Sequence, residues 1–114
     1  MQKIHIYGIK NCKSMKKAFD FLEKNEKAYK FIDYKKTPPS LDFINSLCQY
    51  KPLESLINTK GTTYKKLKLN RDSITPEVII QNPSLIKRPL IIIFQDSYTI
   101  TQILLGLQDL EKLL

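Results

Sequence analysis

The apolar side chains near the start of the chain change from a two-residue to a helical spacing. Lys3–Tyr7, KIHIY, alternates apolar and polar residues and is rich in strand formers, which predicts a strand. Gly8–Asn11 predicts a turn, and an amphipathic helix is then predicted from Cys12 to near Asn25. Four residues carry its i, i+3, i+4, i+7 spacing: Met15, Ala18, Phe19 and Leu22. Tyr29–Tyr34, YKFIDY, predicts a second strand, so this part of the chain predicts a βαβ unit with parallel strands.

The middle of the chain predicts several short helices after a break at Lys35–Ser40, KKTPPS. A Ser, Thr or Pro stands where each helix would begin. The predicted starts and approximate ends are Ser40 to Gln49, Pro52 to Asn58, Thr62 or Thr63 to Leu69, and Thr75 to Gln81. The first helix places Leu41, Ile44, Leu47 and Cys48 on one face, which favours a buried structural role for Cys48. Together these segments predict a helical insertion at about residues 37–85.

The last part of the chain predicts a hairpin and a helix. Leu90–Phe94 is an apolar run typical of a buried strand, and Gln95–Ser97 predicts a turn. Tyr98–Thr101 predicts the second strand and Leu107–Leu114 a closing helix. The order of elements fits an α/β, thioredoxin-like fold: a four-stranded mixed sheet, βαβ then ββα, with a helical insertion. We expect a single domain over residues 1–114.

The composition favours an ordinary globular domain in the cytoplasm. Of the 114 residues, 42% are hydrophobic and 26% are charged. The longest apolar run, Leu90–Phe94, is far shorter than the roughly 20 residues of a membrane span. The amino terminus lacks the apolar core of a signal peptide, so we expect a cytoplasmic location and no membrane partner. Structural disulfides are rare in that compartment.

The net charge of +8 is concentrated in two segments. Residues 1–36 carry ten basic and four acidic side chains, and residues 51–88 carry eight and three. Two interpretations remain open: a solubilising lysine surface, or attraction to an anion such as glutathione, an oxyanion, nucleic acid or an acidic protein. The sequence has no Cys/His zinc pattern, RNP-like aromatic strand or arginine-rich arm, so we expect neither a metal nor direct nucleic-acid binding.

Cys12 is the main candidate for chemistry. At the first turn of a helix, a thiol faces unpaired backbone N–H groups and the positive end of the helix dipole, which favour the thiolate. Ser14 could donate a hydrogen bond to the sulfur, and four lysines lie nearby: Lys10, Lys13, Lys16 and Lys17. Such settings lower a cysteine pKa from about 8.5 to between about 3.5 and 7.5. The alternative is a small, unreactive capping residue, but the placement between strand and helix favours chemistry.

The neighbours of Cys12 exclude two common mechanisms. A C-x-x-C redox pair would need cysteine at Met15, and a C-x5-R phosphate loop would need arginine at Ala18. Disulfide chemistry at Cys12 would therefore need an outside thiol. Arg88, directly before Pro89, offers a guanidinium that can bind carboxylates or oxyanions, although a plain surface arginine is the open alternative. His5, between two isoleucines in a strand, is interpreted as a packed or edge residue.

Three stretches resemble one protein family. YGIKNCKSMKKA, LINTKGTTYKKL and LIKRPLIII, in this order, are similar to the landmarks of the arsenate reductase (ArsC)/Spx family, most closely its YffB-like branch. The resemblance runs from Ile4 to Gly106 and implies a thioredoxin-like sheet with a helical insertion. It implies that Cys12 is the nucleophile and that Arg88 precedes the family's cis-proline, Pro89.

The resemblance also implies a site for glutathione as a co-substrate, with no tightly bound cofactor. Asn11 and Ser14 fall in the family's active-site loop, beside Lys13. Lys60 stands where the family often has an arginine, so it is expected to contact an anion. The expected substrate or glutathione site therefore consists of Asn11, Lys13, Ser14, Lys60 and Pro89.

The chain departs from the family pattern at three points. Arsenate reductases of this family typically have a histidine four residues before the cysteine, where this chain has Gly8. They use three arginines, of which Arg88 alone is clearly matched, and Met15 removes the C-x-x-C of Spx proteins. The first expectation is therefore a glutathione-dependent thiol oxidoreductase. The second is an Spx-like module that binds the carboxyl-terminal domain of the RNA polymerase α-subunit through Lys51–Arg71, and the third is an arsenate reductase.

Overall fold

Four strands form one mixed sheet in the order β2–β1–β3–β4. The computed structural model describes residues 3–96 and 99–113. The strands are β1 (Lys3–Gly8), β2 (Lys30–Asp33), β3 (Leu90–Phe94) and β4 (Ile100–Leu105). β1 and β2 are parallel, whereas β1 with β3 and β3 with β4 are antiparallel. The thioredoxin-like α/β sheet predicted from the sequence is confirmed.

Four α-helices and several 3-10 helices complete the described chain. The α-helices are α1 (Lys13–Lys24), α2 (Leu41–Cys48), α3 (Thr62–Lys66) and α4 (Pro76–Gln81). The 3-10 helices are Leu53–Leu56, Arg71–Ser73, Pro83–Leu85 and Leu107–Leu113. Within residues 3–96 and 99–113, none of these helices has the length and apolar character that a membrane crossing needs.

The chain divides into two compact units. The first comprises Met1–Thr37 and Arg88–Leu114 and contains the whole sheet with α1. The second comprises Pro38–Lys87 and contains α2, α3 and α4. The helical insertion predicted at about residues 37–85 overlaps this second unit.

The core of the first unit lies between α1 and one face of the sheet. α1 has a buried stripe at Met15, Ala18 and Leu22, each fully excluded from solvent. The stripe packs in one cluster with alternate residues of the strands and with the last 3-10 helix, namely Ile4, Ile6, Ile91, Ile93, Leu104, Leu110 and Leu113. Because side chains alternate along a strand, His5 and Tyr7 of β1 point to the opposite face.

Side-chain caps and a short bridge order the second unit. Ser40 Oγ accepts a hydrogen bond from the Phe43 N–H at 3.1 Å, and Thr75 Oγ1 accepts one from the Val78 N–H at 3.2 Å. These caps begin α2 and α4 where the sequence predicts helix starts. Ile57 and Ile86, both buried, form an isolated antiparallel bridge. This bridge follows the 3-10 helix Leu53–Leu56, so the helix predicted from Pro52 is shorter and tighter than expected.

The carboxyl-terminal elements differ from their predictions. β4 begins at Ile100 and ends at Leu105, later than the predicted Tyr98–Thr101, of which Tyr98 lies outside the described residues. The run Ile103–Leu105 is extended because it pairs with β3 and is buried there. Gly106, at a φ of +81°, then turns the chain into a 3-10 helix instead of the predicted α-helix. Leu114 lies outside the described residues.

The prediction that Cys48 is buried is wrong. α2 buries Ile44 and Leu47, whereas Cys48 is exposed and Leu41 is 44% exposed. At 100° per residue, Cys48 and Leu41 project about 70° and 90° away from the midline between Ile44 and Leu47. Both are also terminal residues of an eight-residue helix. The buried stripe is therefore narrower than the pattern predicted.

Gly8 and Met15 fit each other closely at the start of α1. A Cβ atom at Gly8 would lie 2.8 Å from Met15 Cε and would also collide with its Sδ. Met15 is fully buried, so its side chain has little room to move away. The absence of a side chain at Gly8 thus makes room for the methionine.

We expect Gly8→Ala to lower the free energy of unfolding by about 1–3 kcal/mol through overpacking. Met15→Ala should lower it by about 2–5 kcal/mol by leaving a cavity. The double variant should lose less than the sum of the two, by roughly 1 kcal/mol, because the added methyl group enters the vacated space. Urea denaturation measures all three variants, and strictly additive losses would contradict the contact.

Candidate active site

Three segments of the first unit meet at one end of the sheet. β1 and β2 are parallel, so their carboxyl ends lie together, and the amino end of antiparallel β3 lies beside them. Leu90 pairs with Tyr7, and the Tyr34 N–H donates a hydrogen bond to the Gly8 carbonyl at 2.9 Å. The loop that carries Cys12, the residue after β2 and the Arg88–Pro89 pair therefore come from neighbouring strand ends.

Cys12 is the N-cap residue of α1. Its backbone is extended, with φ −120° and ψ 135°, and its carbonyl accepts a hydrogen bond from the Lys16 N–H at 3.0 Å. The side chain is half-buried and packs against the core cluster of the first unit. The Cys12 sulfur does not accept a capping hydrogen bond from the first turn of α1. The N–H groups of Ser14 and Met15 nevertheless lie close enough to favour its thiolate.

Opposing effects set the pKa of Cys12, and their balance lowers it below its ordinary value. Burial is the largest single effect, and alone it would raise the pKa because it removes water from the thiolate. The N–H groups of Met15 and Ser14, the charge of Arg88 and the Ser14 hydroxyl all act in the opposite direction and together outweigh it. The sequence predicted that the helix start and the Ser14 hydroxyl would favour the thiolate. The charge that acts on the sulfur is that of Arg88 rather than those of the nearby lysines.

Arg88 and Pro89 lie directly before β3. The peptide bond between them is cis, Pro89 is buried, and its carbonyl accepts a hydrogen bond from the Gly106 N–H at 2.9 Å. Arg88 is half-buried, and its charge favours the anionic forms of both Cys12 and Tyr34. A partly desolvated guanidinium interacts more strongly with an anion than a fully solvated lysine does.

A surface groove of about 450 Å³ runs beside the sulfur and is called the Cys12 groove below. Its lining residues are Lys10, Asn11, Cys12, Lys13, Lys16 and Phe19. The Phe19 ring is held by Tyr29, stacked at 5.6 Å, and by Phe31, edge-on at 5.0 Å. The groove thus combines an aromatic wall with three lysines, a combination suited to a flexible anionic ligand.

The structure places most of the site residues expected from the sequence in the first unit. Asn11 and Lys13 line the Cys12 groove, Ser14 acts on the sulfur, and Arg88–Pro89 lies at the same end of the sheet. Lys60 belongs to the second unit, where its side chain is exposed and its N–H donates to Asn58 Oδ1 at 3.2 Å.

Two residues near the site were missed from the sequence: Phe19, interpreted only as a core residue, and Tyr34, interpreted only as the end of a strand. A signal existed for Tyr34, because the carboxyl ends of adjacent parallel strands place the residues that follow them together. The groove wall at Phe19 depends on packing against Tyr29 and Phe31, which the helical pattern does not reveal.

Cys48 and His5 have surroundings unlike that of Cys12. Partial burial raises the pKa of the Cys48 thiol, and no interaction with the described residues offsets this effect. His5 packs against Phe94 with ring centroids 4.8 Å apart, and burial followed by the charges of Lys30 and Lys3 lowers its pKa. Across residues 3–96 and 99–113, no three His, Cys, Asp or Glu side chains are grouped as a metal site would need.

The family model described as the ArsC family matches residues 7–100, which include both Cys12 and Arg88. The chain belongs to the ArsC family. This ArsC-family chain is 32% identical over 95 residues to the global transcriptional regulator Spx of Listeria innocua, covering 78% of the chain and 72% of the relative.

Solved structures show the same relationship. The ArsC-family chain superposes on a structure titled YFFB protein with a TM-score of 0.72 and 29% identity, covering 91% of this chain and 90% of that one. An arsenate reductase (ArsC) related protein from Brucella melitensis gives a TM-score of 0.67 and 33% identity, covering 87% and 84%.

The rate of Cys12 alkylation by iodoacetamide should reach half its maximum at a lower pH than that of a free cysteine. We expect Arg88→Met and Ser14→Ala each to move this midpoint upward, because each removes an interaction that favours the thiolate. A Cys48→Ser background confines the reaction to Cys12.

The matched control is Arg71→Met, which removes the same charge from an exposed arginine paired with Glu54 in the second unit. That variant should leave the midpoint unchanged. A midpoint at or above that of free cysteine in the otherwise unmodified protein would show that burial dominates at Cys12.

Proposed function

We propose that this chain is a thiol oxidoreductase that acts through one nucleophilic cysteine, Cys12, with glutathione as the second thiol. The observation that carries the proposal is the lowered pKa of Cys12 at the amino end of α1. A thiolate is the reactive form in thiol–disulfide exchange, which is fastest when the pKa of the attacking thiol lies near the ambient pH. Met15 stands where a resolving cysteine would be, so the second thiol comes from outside.

The proposed reaction has two exchange steps. In the first, the Cys12 thiolate attacks one sulfur of a substrate disulfide, forms a mixed disulfide and releases the other sulfur as a thiolate. In the second, a glutathione thiolate attacks the mixed disulfide and takes over the substrate sulfur, which regenerates the Cys12 thiolate. Each step forms one S–S bond and breaks one, so no further oxidant or reductant is required.

The charges of the site support glutathione as the partner. Glutathione has two carboxylates on either side of its cysteine, and the Cys12 groove has lysines on its lining with Arg88 acting on the sulfur. Exposed lysines attract an anion weakly, whereas a guanidinium can bind a carboxylate through two hydrogen bonds. We propose contacts from Asn11, Lys13, Ser14 and Pro89, and a cytoplasmic location where reduced glutathione is abundant.

Treatment with oxidised glutathione should produce a single mixed disulfide, at Cys12. Cys48 is more exposed but has a raised pKa, so less of it is thiolate near neutral pH. Mass spectrometry of peptides locates the adduct. Cys12→Ser should abolish both the adduct and glutathione-linked reduction of a model disulfide, whereas Cys48→Ser should preserve both. Faster modification of Cys48 than of Cys12 would contradict the proposal.

An Spx-like regulatory role is the alternative favoured by a separate observation. The chain is 32% identical to a global transcriptional regulator, and its second unit has exposed basic side chains: Lys60, Lys65, Lys66 and Lys68. In this alternative, the segment Lys51–Arg71 docks on the carboxyl-terminal domain of the RNA polymerase α-subunit. Membership in the ArsC family supports a third candidate, arsenate reduction, with Arg88 as an anion contact.

Two assays separate these alternatives from the leading proposal. For the regulatory role, we expect salt-sensitive binding of the purified carboxyl-terminal domain of the α-subunit. This binding should persist in Cys12→Ser and weaken when Lys65 and Lys66 become glutamate. For arsenate reduction, turnover is measured with glutathione and glutaredoxin supplied. Absence of binding would contradict the regulatory role, and absence of turnover would contradict arsenate reduction.

A further inference from the structure

β2 forms one edge of the sheet. The strand order places β1 on one side of β2, and no other strand of the described chain lies along its outer side. The peptide groups of a strand point alternately to its two sides. The Tyr34 N–H, directly after β2, bonds to the Gly8 carbonyl of β1 at 2.9 Å. Counting back from Tyr34, the peptide groups of Ile32 face β1, and those of Phe31 and Asp33 face outwards.

Three of these outward backbone groups have no strand to pair with. The Asp33 carbonyl already accepts hydrogen bonds from the N–H groups of Lys36 and Thr37, at 3.0 and 2.8 Å. The Asp33 N–H and both peptide groups of Phe31 remain. An exposed strand edge is a template for an added strand, and proteins often protect it with charged side chains. Any partner at this edge must therefore suit the charges around it.

A groove of about 360 Å³ follows the edge and is called the β2 groove below. It is lined by the whole of β2, Lys30–Asp33, and by Lys10, Lys36 and Thr37. Consecutive side chains of a strand lie on opposite faces, so a groove lined by four consecutive residues runs along the edge rather than over one face. Its three lysines are exposed, whereas it contains one aspartate. The β2 groove is therefore positively charged.

The β2 groove adjoins the Cys12 groove within the first unit. Lys10 lines both grooves. Phe31 lines the β2 groove and packs edge-on against Phe19 of the Cys12 groove, with ring centroids 5.0 Å apart. Phe19 lies seven residues along α1 from Cys12, about 10 Å, which roughly three residues of extended chain span. A chain bound along β2 can therefore bring a cysteine a few residues away to the Cys12 sulfur.

We propose that the substrate disulfide belongs to an acidic, extended segment of another protein, and that this segment adds a strand to the outer edge of β2. This inference rests on the proposed function and names the class of its disulfide substrate. The lysines of the β2 groove attract acidic side chains, and the outward peptide groups of Phe31 and Asp33 hold the backbone. β2 and β3 flank β1 on opposite sides, so this edge is separate from Arg88.

A second copy of this chain suits the edge less well than an acidic segment does. Residues 24–36, which end α1 and include β2, carry five lysines against Glu26 and Asp33. Pairing two such edges would bring like charges together, which destabilises a strand pair. The same lysines that oppose self-association therefore favour a partner of opposite charge.

The first test measures how fast Cys12 attacks peptide disulfides, in the Cys48→Ser background. Each probe is a cysteine joined to thionitrobenzoate, whose coloured thiolate is released as the peptide sulfur forms a disulfide with Cys12. One probe has alternating glutamate and threonine around its cysteine, and the other is N-acetylcysteine amide. We expect Lys30→Glu combined with Lys36→Glu to slow the reaction of the acidic peptide about ten-fold at low salt. The short probe should react at the parent's rate.

The matched control is Lys65→Glu combined with Lys66→Glu, which reverses two exposed charges in the second unit. It should react with the acidic peptide as the parent does. An unchanged rate with the short probe also shows that the Lys30 and Lys36 variant keeps its fold and its thiolate.

The second test measures amide hydrogen exchange by NMR and needs no thiol chemistry. The peptide is the acidic sequence with serine in place of its cysteine. At roughly ten times its Kd, exchange at the Phe31 and Asp33 N–H groups should slow about ten-fold. The Ile32 N–H, which faces β1, should be unaffected. The same peptide methylated on alternate backbone nitrogens keeps its charge but cannot pair, so it should slow neither amide.

Several outcomes would overturn the inference and leave the proposed function intact. Equal rates of the parent and the Lys30 and Lys36 variant with the acidic peptide would be one. A slower variant without slowed exchange at Phe31 and Asp33 would indicate attraction by charge alone. Slowed exchange on raising the protein concentration without peptide would place a second copy on the edge. If oxidised glutathione forms no adduct at Cys12, the proposed function fails, whereas the exchange experiment still decides whether the edge adds a strand.

Discussion

The packing of α1 against the sheet fixes the direction in which the amino end of this helix points. Ala18 sits in the middle of the buried stripe, where its small side chain allows a close approach, and Met15 and Leu22 fill the space on either side. Because Met15, Ala18 and Leu22 are fully buried, this packing holds the N–H groups of Ser14 and Met15 towards the Cys12 sulfur. Such fixed dipoles stabilise a charge more effectively than solvent that must reorient.

The same packing explains why the Cys12 thiol is only moderately desolvated. The sulfur is at the border of the core cluster, so burial raises the pKa of Cys12. The backbone N–H groups of Met15 and Ser14 and the charge of Arg88 lower that pKa. The lysines around it are exposed and surrounded by water, where charges act weakly over distance. A basic sequence context and an effective local charge are therefore different properties, and one half-buried arginine matters more here than several surface lysines.

The features predicted from the sequence are those set by local signals. β1 and α1 have a clear apolar period, β3 is a continuous apolar run, and Ser40 and Thr75 form the expected caps. The bounds of β4 depend on its pairing with β3. The exposure of Cys48 depends on which side of α2 packs against other residues. The convergence of Arg88, Tyr34 and Cys12 depends on strand order. No single segment of the sequence reveals strand pairing or strand order. The family resemblance did, however, indicate Arg88 as a site residue.

The close fit of Gly8 and Met15 links the two positions at which this chain departs from the histidine of arsenate reductases and the second cysteine of Spx proteins. A larger residue at position 8 needs a smaller one at position 15, and a cysteine at position 15 opens a space that glycine cannot fill. These two sites are thus epistatic. A lineage moving from one type of site chemistry to another would cross a less stable intermediate, which is a physical reason for such branches to stay distinct once separated.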